Sequence, residues 1–378
     1  MRVLIAPDKF KDALAAVDVA RAMAAGVLDF DPAADVELCP MGDGGEGTGA
    51  LLARAAAAET RTVLVRDPLG REREARWWHV AECGEAIIEM AEASGLGLLT
   101  EAERDPERTT SYGTGQLIRS AVDAGCKSVL VCVGGSATVD GGAGALQALG
   151  WRLLDSDGGE IREPVTGAVL RKIAQLVPPS KPLSAACRVL CDVVNPLLGP
   201  EGAARVYSPQ KGAASDQVVR LEEGLRLWVE KLHRVIGRDV SRLPGAGAAG
   251  GLAGGLAAAL DAELVPGFAE VARRLDLQQK ARACDLCLTG EGRIDAQTAA
   301  GKVVCGVGRL AKELGIPSLA FAGQADTFNG TGLAALAARV DVDRIVVITP
   351  ESASVATALR ETAENVRRAV REALAARS

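Results

Sequence analysis

The chain has few of the side chains on which several common chemistries depend. Histidine occurs only twice in 378 residues, at His79 and His233, and both lie near tryptophans in segments with a structural pattern. We therefore expect neither a histidine-based catalytic triad nor a histidine metal site.

Positive charge is also in short supply. The net charge is −6 and the sequence pI is about 5.3, which leaves no basic surplus to neutralise a nucleic-acid backbone. The longest uncharged run, Pro244–Leu260, is mostly Gly and Ala and is shorter than the roughly 20 apolar residues that cross a bilayer. The apolar N-terminus runs straight into Asp8, Lys9 and Lys11, which is typical of a first strand rather than of a secretory signal. These absences predict a soluble cytoplasmic protein with no nucleic-acid or membrane partner.

The cysteines do not indicate a disulfide framework. Nine cysteines are an odd number in a long chain without a signal, which predicts reduced thiols. Cys284 and Cys287 form a CxxC pair, but the local pattern predicts a buried strand, where this spacing points the two sulfurs to opposite faces. Thiols that pack as small hydrophobic groups are favoured over zinc binding or redox chemistry.

The sequence does contain an alternation of short β-branched runs with Ala- and Leu-rich helical patterns. This alternation predicts an α/β fold with parallel strands and crossover helices. The segment 62–91 differs, because turn signals at DPLG and CGE divide it into three strands with hairpin-like pairing. We expect two domains: residues 1–75 and 289–378 form one discontinuous domain, and residues 76–288 form a second α/β domain with a mixed sheet.

Three glycine-rich segments are candidate ligand loops. TGEGRIDAQTAAGK (289–302) is interpreted as a charged loop after a buried strand, and it lacks a Gly and a Ser or Thr that a Walker A P-loop requires. GAGAAG (245–250) fits the dinucleotide pattern, but no strand leads into it, so small residues that let another backbone approach are favoured. GGSATVDGGAG (134–144) follows an apolar strand and precedes a helical pattern, which predicts backbone N–H groups and a helix N-terminus facing a phosphate. A tight turn without a ligand is the alternative for this segment.

Acidic and amide side chains at predicted strand ends are candidate ligands for Mg²⁺ or substrate. Asp43 and Glu46 lie in PMGDGGEGT, where capping of the following helix explains them equally well. Asp192 and Asn195 follow the strand-like RVLCDVV, where they can hold a metal ion or orient a hydroxyl group. An Asx turn before Pro196 is the alternative for this pair.

In order along the chain, these segments resemble those of the bacterial glycerate kinase family. The resemblance covers nearly the whole chain and rests on APDKFK, PMGDGGEGT, TSYGTGQLI, GGSATVDGG, CDVVNPLLGPEGA, PQKGA, GAGAAGG and TGEGRIDAQT with the later GK. It implies two α/β domains, one of them flavodoxin-like and discontinuous, with the active site in the cleft between them. It also implies ATP-dependent phosphorylation of D-glycerate, most often at the 2-hydroxyl.

Phosphoryl transfer depends on positioning and charge neutralisation, so each of these needs a candidate residue. The predicted phosphate-binding residues are Gly134, Gly135 and Ser136 with Lys211 or Lys302, and the predicted Mg²⁺ ligand is Asp192, with Asp43 second. Arg293 is predicted to bind the glycerate carboxylate, because its planar fork matches a carboxylate. Glu291 and Asn195 complete the predicted substrate contacts.

The catalytic candidates are three carboxylates and a lysine, and Asp192 is one of them through its predicted Mg²⁺. Asp295 is predicted to accept the hydroxyl proton, with Asp8 as its rival, and Lys11 to stabilise the transferring phosphoryl group. These roles can be permuted, and a monomer or homodimer is expected.

Two other functions remain open from the sequence. The GAGAAG segment and the α/β pattern are compatible with an NAD-dependent 2-hydroxy-acid dehydrogenase, although an acidic ribose partner after a proper strand is missing. A sugar-acid binding protein without catalytic activity is the other alternative.

Overall fold

The computed structural model describes residues 1–295, 298, 302–326, 332–350 and 353–377. The β-strands, in chain order, are β1 (Arg2–Ile5), β2 (Asp35–Leu38), β3 (Glu59–Arg66), β4 (Glu72–Val80), β5 (Glu85–Glu89), β6 (Ser128–Cys132), β7 (Arg152–Leu154), β8 (Gln175–Val177), β9 (Ala186–Leu190), β10 (Glu263–Val265), β11 (Leu286–Ile294), β12 (Ser318–Ala325) and β13 (Arg344–Val347). The α-helices are α1 (Ala16–Phe30), α2 (Thr48–Ala55), α3 (Ala91–Ser94), α4 (Tyr112–Asp123), α5 (Ala143–Ala148), α6 (Ala203–Tyr207), α7 (Ser215–Ile236), α8 (Leu252–Ala259), α9 (Gly267–Arg274), α10 (Leu277–Arg282), α11 (Val303–Leu314), α12 (Leu333–Arg339), α13 (Val355–Arg360) and α14 (Thr362–Ala375).

The chain divides into two compact units. The first contains residues 1–43 and 267–378, and the second contains residues 44–266. The division therefore lies before and not after α2 and β3, because β3 pairs with β4 along its whole length. Helices α9 and α10 fall in the first unit, where both contact α11. These bounds differ from the predicted ones, 1–75 with 289–378 and 76–288, by 32 residues (75 − 43) at the first boundary and 22 (288 − 266) at the second.

The first unit is built on a parallel sheet in the order β13-β12-β11-β1-β2. Numbered within the unit, this is the flavodoxin-like order 2-1-3-4-5. One face of the sheet packs against α1 and α14 in a core that includes Met23 and Val370. The other face packs against α11 and α12 in a core that includes Val304 and Leu336. The unit is thus a three-layer α/β/α structure, as the sequence resemblance implied.

The second unit is built on a mixed sheet in the order β10-β9-β6-β5-β4-β3. Strands β5, β6, β9 and β10 run parallel, whereas β3, β4 and β5 form the antiparallel series predicted from their turn signals. Helix α7 buries Leu221, Leu225, Trp228 and Leu232 along one stripe and contacts α6, α8 and β8, whereas α2 and α4 contact the strands of the six-stranded sheet. Within the described residues, every helix is too short or too polar to cross a membrane.

Candidate active site

The first group of candidate residues lies at the point where the strand order of the first unit reverses. In open α/β sheets, ligands bind beyond the carboxyl ends of the strands at such a switch point. Here β1 and β11 are neighbours, and their carboxyl ends lead to Asp8 and to the segment containing Glu291 and Asp295. Asp43 follows β2, the next strand in the sheet. The fold therefore brings together carboxylates that are far apart in the sequence.

The segment TGEGRI, residues 289–294, is a strand and not the predicted loop. It continues β11 and pairs with β12 as far as Ala325, so its backbone hydrogen bonds are satisfied by the neighbouring strand. Its glycines permit close packing. A Cβ atom on Gly290 would lie 2.3 Å from the Phe321 carbonyl oxygen, and a Cβ atom on Gly292 would lie 3.1 Å from the Lys11 backbone nitrogen. The prediction failed because glycine and charge in a row imitate a loop. The later part of the motif, including Gly301, lies largely outside the described residues.

Two buried carboxylates in this group hold their protons unusually tightly. Burial raises the pKa of Asp8 well above its usual value, and the carboxylates of Asp43 and Glu291 raise it further. Burial also raises the pKa of Glu291 to about 7, against the lowering effects of the Thr298 hydroxyl and the Lys302 charge. Glu291 accepts a hydrogen bond from the Thr298 hydroxyl. A carboxyl group that titrates near neutrality is suited to proton transfer.

Arg293, Asp295 and Lys302 lie around these two acids. Arg293 is exposed, and its guanidinium group forms an ion pair with Asp326 at the end of β12. Asp295 receives the Thr298 backbone N–H at 3.3 Å, and Lys302 occupies the N-cap position of α11. The ion pair with Asp326 was not anticipated, and the binding of glycerate by Arg293 stays a prediction.

The second group of candidates lies in the second unit, in the loop after β6. Lys211 is 3% exposed, and its ammonium group donates to the Ser136 hydroxyl at 2.7 Å and to the Thr138 carbonyl oxygen at 2.8 Å. Burial lowers the pKa of Lys211 to about 7, and the charge of Asp140 opposes that effect. The sequence placed Lys211 and Ser136 in one site, and the fold brings these residues together across 75 positions.

The N-terminus of α5 is satisfied within the protein and is not open to a phosphate. Fully buried Asp140 accepts the backbone N–H groups of Gly142 at 3.1 Å and Gly144 at 3.3 Å. It also accepts the backbone N–H and the hydroxyl group of Ser111, both at 2.7 Å. The prediction of a free helix N-terminus at GGSATVDGGAG was therefore wrong, because an internal carboxylate already occupies the anion position.

The loop retains other groups for an anion. The backbone N–H groups of Gly135 and Ser136 donate no hydrogen bond in the described part of the chain, and Gly135 is exposed. The Thr138 hydroxyl is buried, with no hydrogen-bond partner among the described residues. The predicted phosphate contacts of this loop thus depend on Lys211 and these backbone donors rather than on a helix dipole.

Glu89, at the end of β5, fixes the segment PMGDGGEGT. Its carboxylate accepts the backbone N–H groups of Gly49 at 2.6 Å and Ala50 at 3.2 Å in the first turn of α2. No side chain of the N-cap residue, Gly47, is available for that role. A Cβ atom on Gly134 would lie 2.3 Å from the Gly45 Cα atom, so this segment packs directly against the phosphate-loop candidate.

Asp192 and Asn195 follow β9. The Asn195 amide donates to the Glu201 carbonyl oxygen at 2.8 Å and accepts the Tyr207 hydroxyl at 2.7 Å. Contact of Asn195 with substrate stays a prediction, and it would compete with these internal bonds. Asp192 is partly exposed, and it lies in the second unit, whereas Asp43 lies in the first. No cluster of three or more His, Cys, Asp or Glu side chains suited to a metal ion occurs within the ranges that the structure describes.

The GAGAAG segment is a site of close packing. A Cβ atom on Gly250 would lie 1.9 Å from the Thr138 carbonyl oxygen, and one on Gly255 would lie 2.3 Å from the Gly141 carbonyl oxygen. No strand leads into the segment, which follows α7 and an irregular stretch. The favoured interpretation of small residues that admit another backbone is confirmed.

Sequence reasoning did not single out Asp140, Glu89 or Thr298. Asp140 stands inside the GGSATVDGG motif, and an acid among glycines before a helix is a signal for capping that could have been used. Glu89 and Thr298 are identified only by contacts made in the folded chain.

Comparisons with known proteins identify the family to which the chain is similar. Residues 3–377 match the model of the glycerate kinase family. The chain is 41% identical over 327 residues to a glycerate kinase of Halalkalibacterium halodurans and 40% identical over 326 residues to glycerate 2-kinase of Escherichia coli, with 85% of each chain covered in both cases. It is 37% identical over 375 residues to a glycerate kinase of Bacillus subtilis, which covers 98% of this chain and 96% of that protein.

A solved structure extends the likeness to three dimensions. The crystal structure of a candidate glycerate kinase 2 from Salmonella typhimurium LT2 matches with a TM-score of 0.81 and 38% identity over 100% of this chain and 98% of that one. Family model, sequence relatives and fold agree over the full length, and the chain belongs to the glycerate kinase family.

Proposed function

We propose that this chain is a kinase that transfers the γ-phosphoryl group of ATP to D-glycerate, at the 2-hydroxyl, to give 2-phosphoglycerate. The observation that carries the proposal is the similarity to glycerate kinases, which covers 98% of this chain for one relative and 85% for the one named a glycerate 2-kinase. A nicotinamide-dependent dehydrogenase is not favoured, because GAGAAG is used in packing against the loop after β6. Since ATP is a cytoplasmic metabolite, we place the enzyme in the cytoplasm. Its oligomeric state, monomer or homodimer, stays a prediction.

The carboxylates of the first unit are proposed to activate glycerate. Glu291 has a pKa of about 7, because burial disfavours its charge, so it can accept the proton of the attacking hydroxyl and release it near neutral pH. This makes Glu291 a stronger candidate for the base than Asp295 or Asp8, although all three stay in the proposal. Arg293 is proposed to bind the substrate carboxylate by exchanging its partner Asp326. Lys11 is proposed to stabilise the transferring phosphoryl group.

The loop after β6 is proposed to bind the phosphates of ATP. Lys211 would supply a buried positive charge, and the N–H groups of Gly135 and Ser136 would donate hydrogen bonds. Gly134 keeps the loop compact, since any side chain there would meet Gly45. Lys302 is retained as a second cation, because its charge acts on Glu291 within the first unit.

Mg²⁺ is implied by the use of ATP, and Asp8 and Asp43 in the first unit offer carboxylate oxygens to it. The carboxylates of Asp43 and Glu291 raise the pKa of Asp8, so negative charges are crowded there in a way that a hard divalent cation relieves. We propose Asp43, with Asp8 beside it, as ligands within this unit, and Asp192 of the second unit stays the alternative ligand. Bound Mg²⁺ would neutralise charge on the phosphates of ATP.

Release of ADP from MgATP in a coupled assay tests the proposal directly. We expect release that requires D-glycerate and that disappears when EDTA removes the divalent cation. ADP release that is indifferent to D-glycerate, or an absorbance change with NAD instead, would contradict the proposal. Phosphorus NMR of the product distinguishes phosphate on the 2-hydroxyl from phosphate on the 3-hydroxyl.

A further inference from the structure

A cavity of about 470 Å³ lies in the second unit beside the turn that joins β3 to β4. Its walls come from that turn, from the start of α4 and from the loop after Ile161. Three arginines, Arg66, Arg108 and Arg162, contribute to the lining together with the hydroxyl-bearing Thr110 and Tyr112. None of these residues belongs to the two groups assigned to phosphoryl transfer.

Two of the three guanidinium groups are available to a ligand. Arg108 and Arg162 are exposed, and neither forms an ion pair within the described residues. Arg66 donates to the Gly70 carbonyl oxygen at 3.1 Å and lies 3.4 Å from the Glu72 carboxylate, which keeps its side chain in place. Glu163 is the one carboxylate in the lining, and Glu72 outside the lining pairs with Arg66, so Arg108 and Arg162 supply the excess positive charge.

Tyr112, the first residue of α4, also lines the cavity. The N-cap residue of this helix, Ser111, already donates its N–H and hydroxyl groups to Asp140, so the helix N-terminus is not counted as a binding group. The Thr110 hydroxyl accepts the Tyr112 N–H at 3.2 Å, and Thr110 is only 1% exposed, so its hydroxyl group is not counted as a binding group either. The cavity therefore offers planar arginine forks, the groups that recognise phosphate and carboxylate groups.

Size and polarity narrow the class of ligand. The volume lies within the range of roughly 300–1,000 Å³ that is usual for small-molecule sites, and it greatly exceeds the volume of an inorganic phosphate ion. Apart from the Tyr112 ring, the apolar side chains are those of Leu69 and Pro164, which offer little surface for a nucleotide base. A small molecule with more than one anionic group matches this lining better than a nucleotide does.

We propose that this arginine cavity binds a small organic phosphate that also carries a carboxylate, as a site separate from the candidate active site. The phosphate group would be held by Arg108 and Arg162, and the second anionic group would lie near Arg66 and the start of α4. The inference concerns binding alone, so it stands or fails independently of the proposed kinase activity.

Titration calorimetry with 3-phosphoglycerate on the full chain tests the proposal, with the double variant R108A/R162A compared to the wild type. We expect a binding event in the wild type that weakens by roughly tenfold or more in the double variant, because the variant lacks both charged donors assigned to the phosphate group. E163Q should increase the affinity for 3-phosphoglycerate, because it removes the only negative charge in the lining. Inorganic phosphate and D-glycerate, each with one of the two groups, should bind more weakly than the probe.

R54A is the matched control, because Arg54 is an exposed arginine of the same unit outside the cavity. It should bind the probe as the wild type does, and the KM values of R108A/R162A for ATP and D-glycerate should be unchanged without added probe. The proposal is overturned if the wild type does not bind the probe, or if the double variant binds it as tightly as the wild type does. It is also overturned if R54A weakens binding as much as R108A/R162A. Stronger binding of ADP than of 3-phosphoglycerate in this event would also overturn it.

Discussion

Glu291 is expected to make the protein less stable as the pH rises toward neutrality. Its pKa in the folded chain is about 7 against an ordinary value of 4.5, so the folded state holds the proton more tightly than the unfolded state does. Its stabilising contribution is therefore complete below about pH 4.5 and is lost as the pH rises through about 7. Glu291→Gln keeps an acceptor for Thr298 and carries no charge, so its Tm should exceed that of the wild type by roughly 5 °C at pH 8 and by little at pH 4.

Differential scanning calorimetry across this pH range measures that effect. Glu313→Gln is the control, because Glu313 is exposed on α11 in the same unit. A Tm difference between Glu291→Gln and the wild type that is the same at pH 4 and pH 8 would show that Glu291 does not titrate in this window.

Lys211 is expected to take up a proton when ATP binds. Burial lowers its pKa to about 7, so the free protein at pH 8 holds this lysine mostly neutral. A phosphate group beside the ammonium nitrogen favours the charged form and raises the pKa again. Binding of MgATP at pH 8 should therefore consume up to about one proton, and binding at pH 6, where Lys211 is already charged, should consume almost none.

Calorimetry in buffers of different ionisation enthalpy counts these protons. Lys211→Met should abolish the uptake at pH 8 and weaken ATP binding, whereas Lys127→Met, at an exposed position of the same unit, should leave both unchanged. Proton uptake that persists in Lys211→Met would remove Lys211 from the phosphate site.

Residue types could be predicted from the sequence more readily than their partners. Lys211 and Ser136 were placed in one site because both stand in glycine-bearing motifs, and they are hydrogen-bonded in the fold. Asp140 was missed, because two of its four hydrogen bonds come from Ser111, which a different segment supplies. Arg293 was predicted without Asp326, since that pairing exists only where β11 and β12 lie side by side.

At the scale of elements, β11 depends on its glycines for close approach. A Cβ atom on Gly290 would lie 2.3 Å from the Phe321 carbonyl oxygen, and the backbone of a central strand cannot move away cheaply. Gly290→Ala should therefore destabilise the protein by about 2 kcal/mol or more, measured by urea denaturation. Gly332→Ala is the control, because nothing lies within 4 Å of a Cβ atom there and the position has an ordinary φ of −68°. Equal stability of the two variants would show that the sheet adapts without cost.

The sequence predicted the kind of each element better than its limits. The alternation of strands and helices and the antiparallel series β3 to β5 were correct, because hydrophobic period and turn residues determine them locally. The extension of β11 through TGEGRI could not be read locally, because β12 supplies the partners for its backbone. Tertiary pairing overrides the low strand propensity of glycine at this position.

At the scale of the whole molecule, the second unit is continuous in sequence and the first is not. Residues 44–266 contain a complete six-stranded sheet and its own hydrophobic core, so we expect this segment to fold when it is expressed alone. A single cooperative thermal transition and dispersed amide NMR signals would confirm that expectation. Residues 267–378 lack β1 and β2, and expressed alone they should give neither. A folded 267–378 fragment would contradict this picture of the first unit.

The position of β1 between β2 and β11 also determines when the first unit can complete its sheet during synthesis. Strand β2 ends at Leu38 and β11 begins at Leu286, so 248 residues (286 − 38) are synthesised before β1 can acquire its second neighbour. At a synthesis rate of roughly 5–20 residues per second, the apolar β1 has no second neighbouring strand for about 12–50 s. During that interval the continuous second unit can complete its fold, and the nascent N-terminus is the part of the chain with most need of a chaperone.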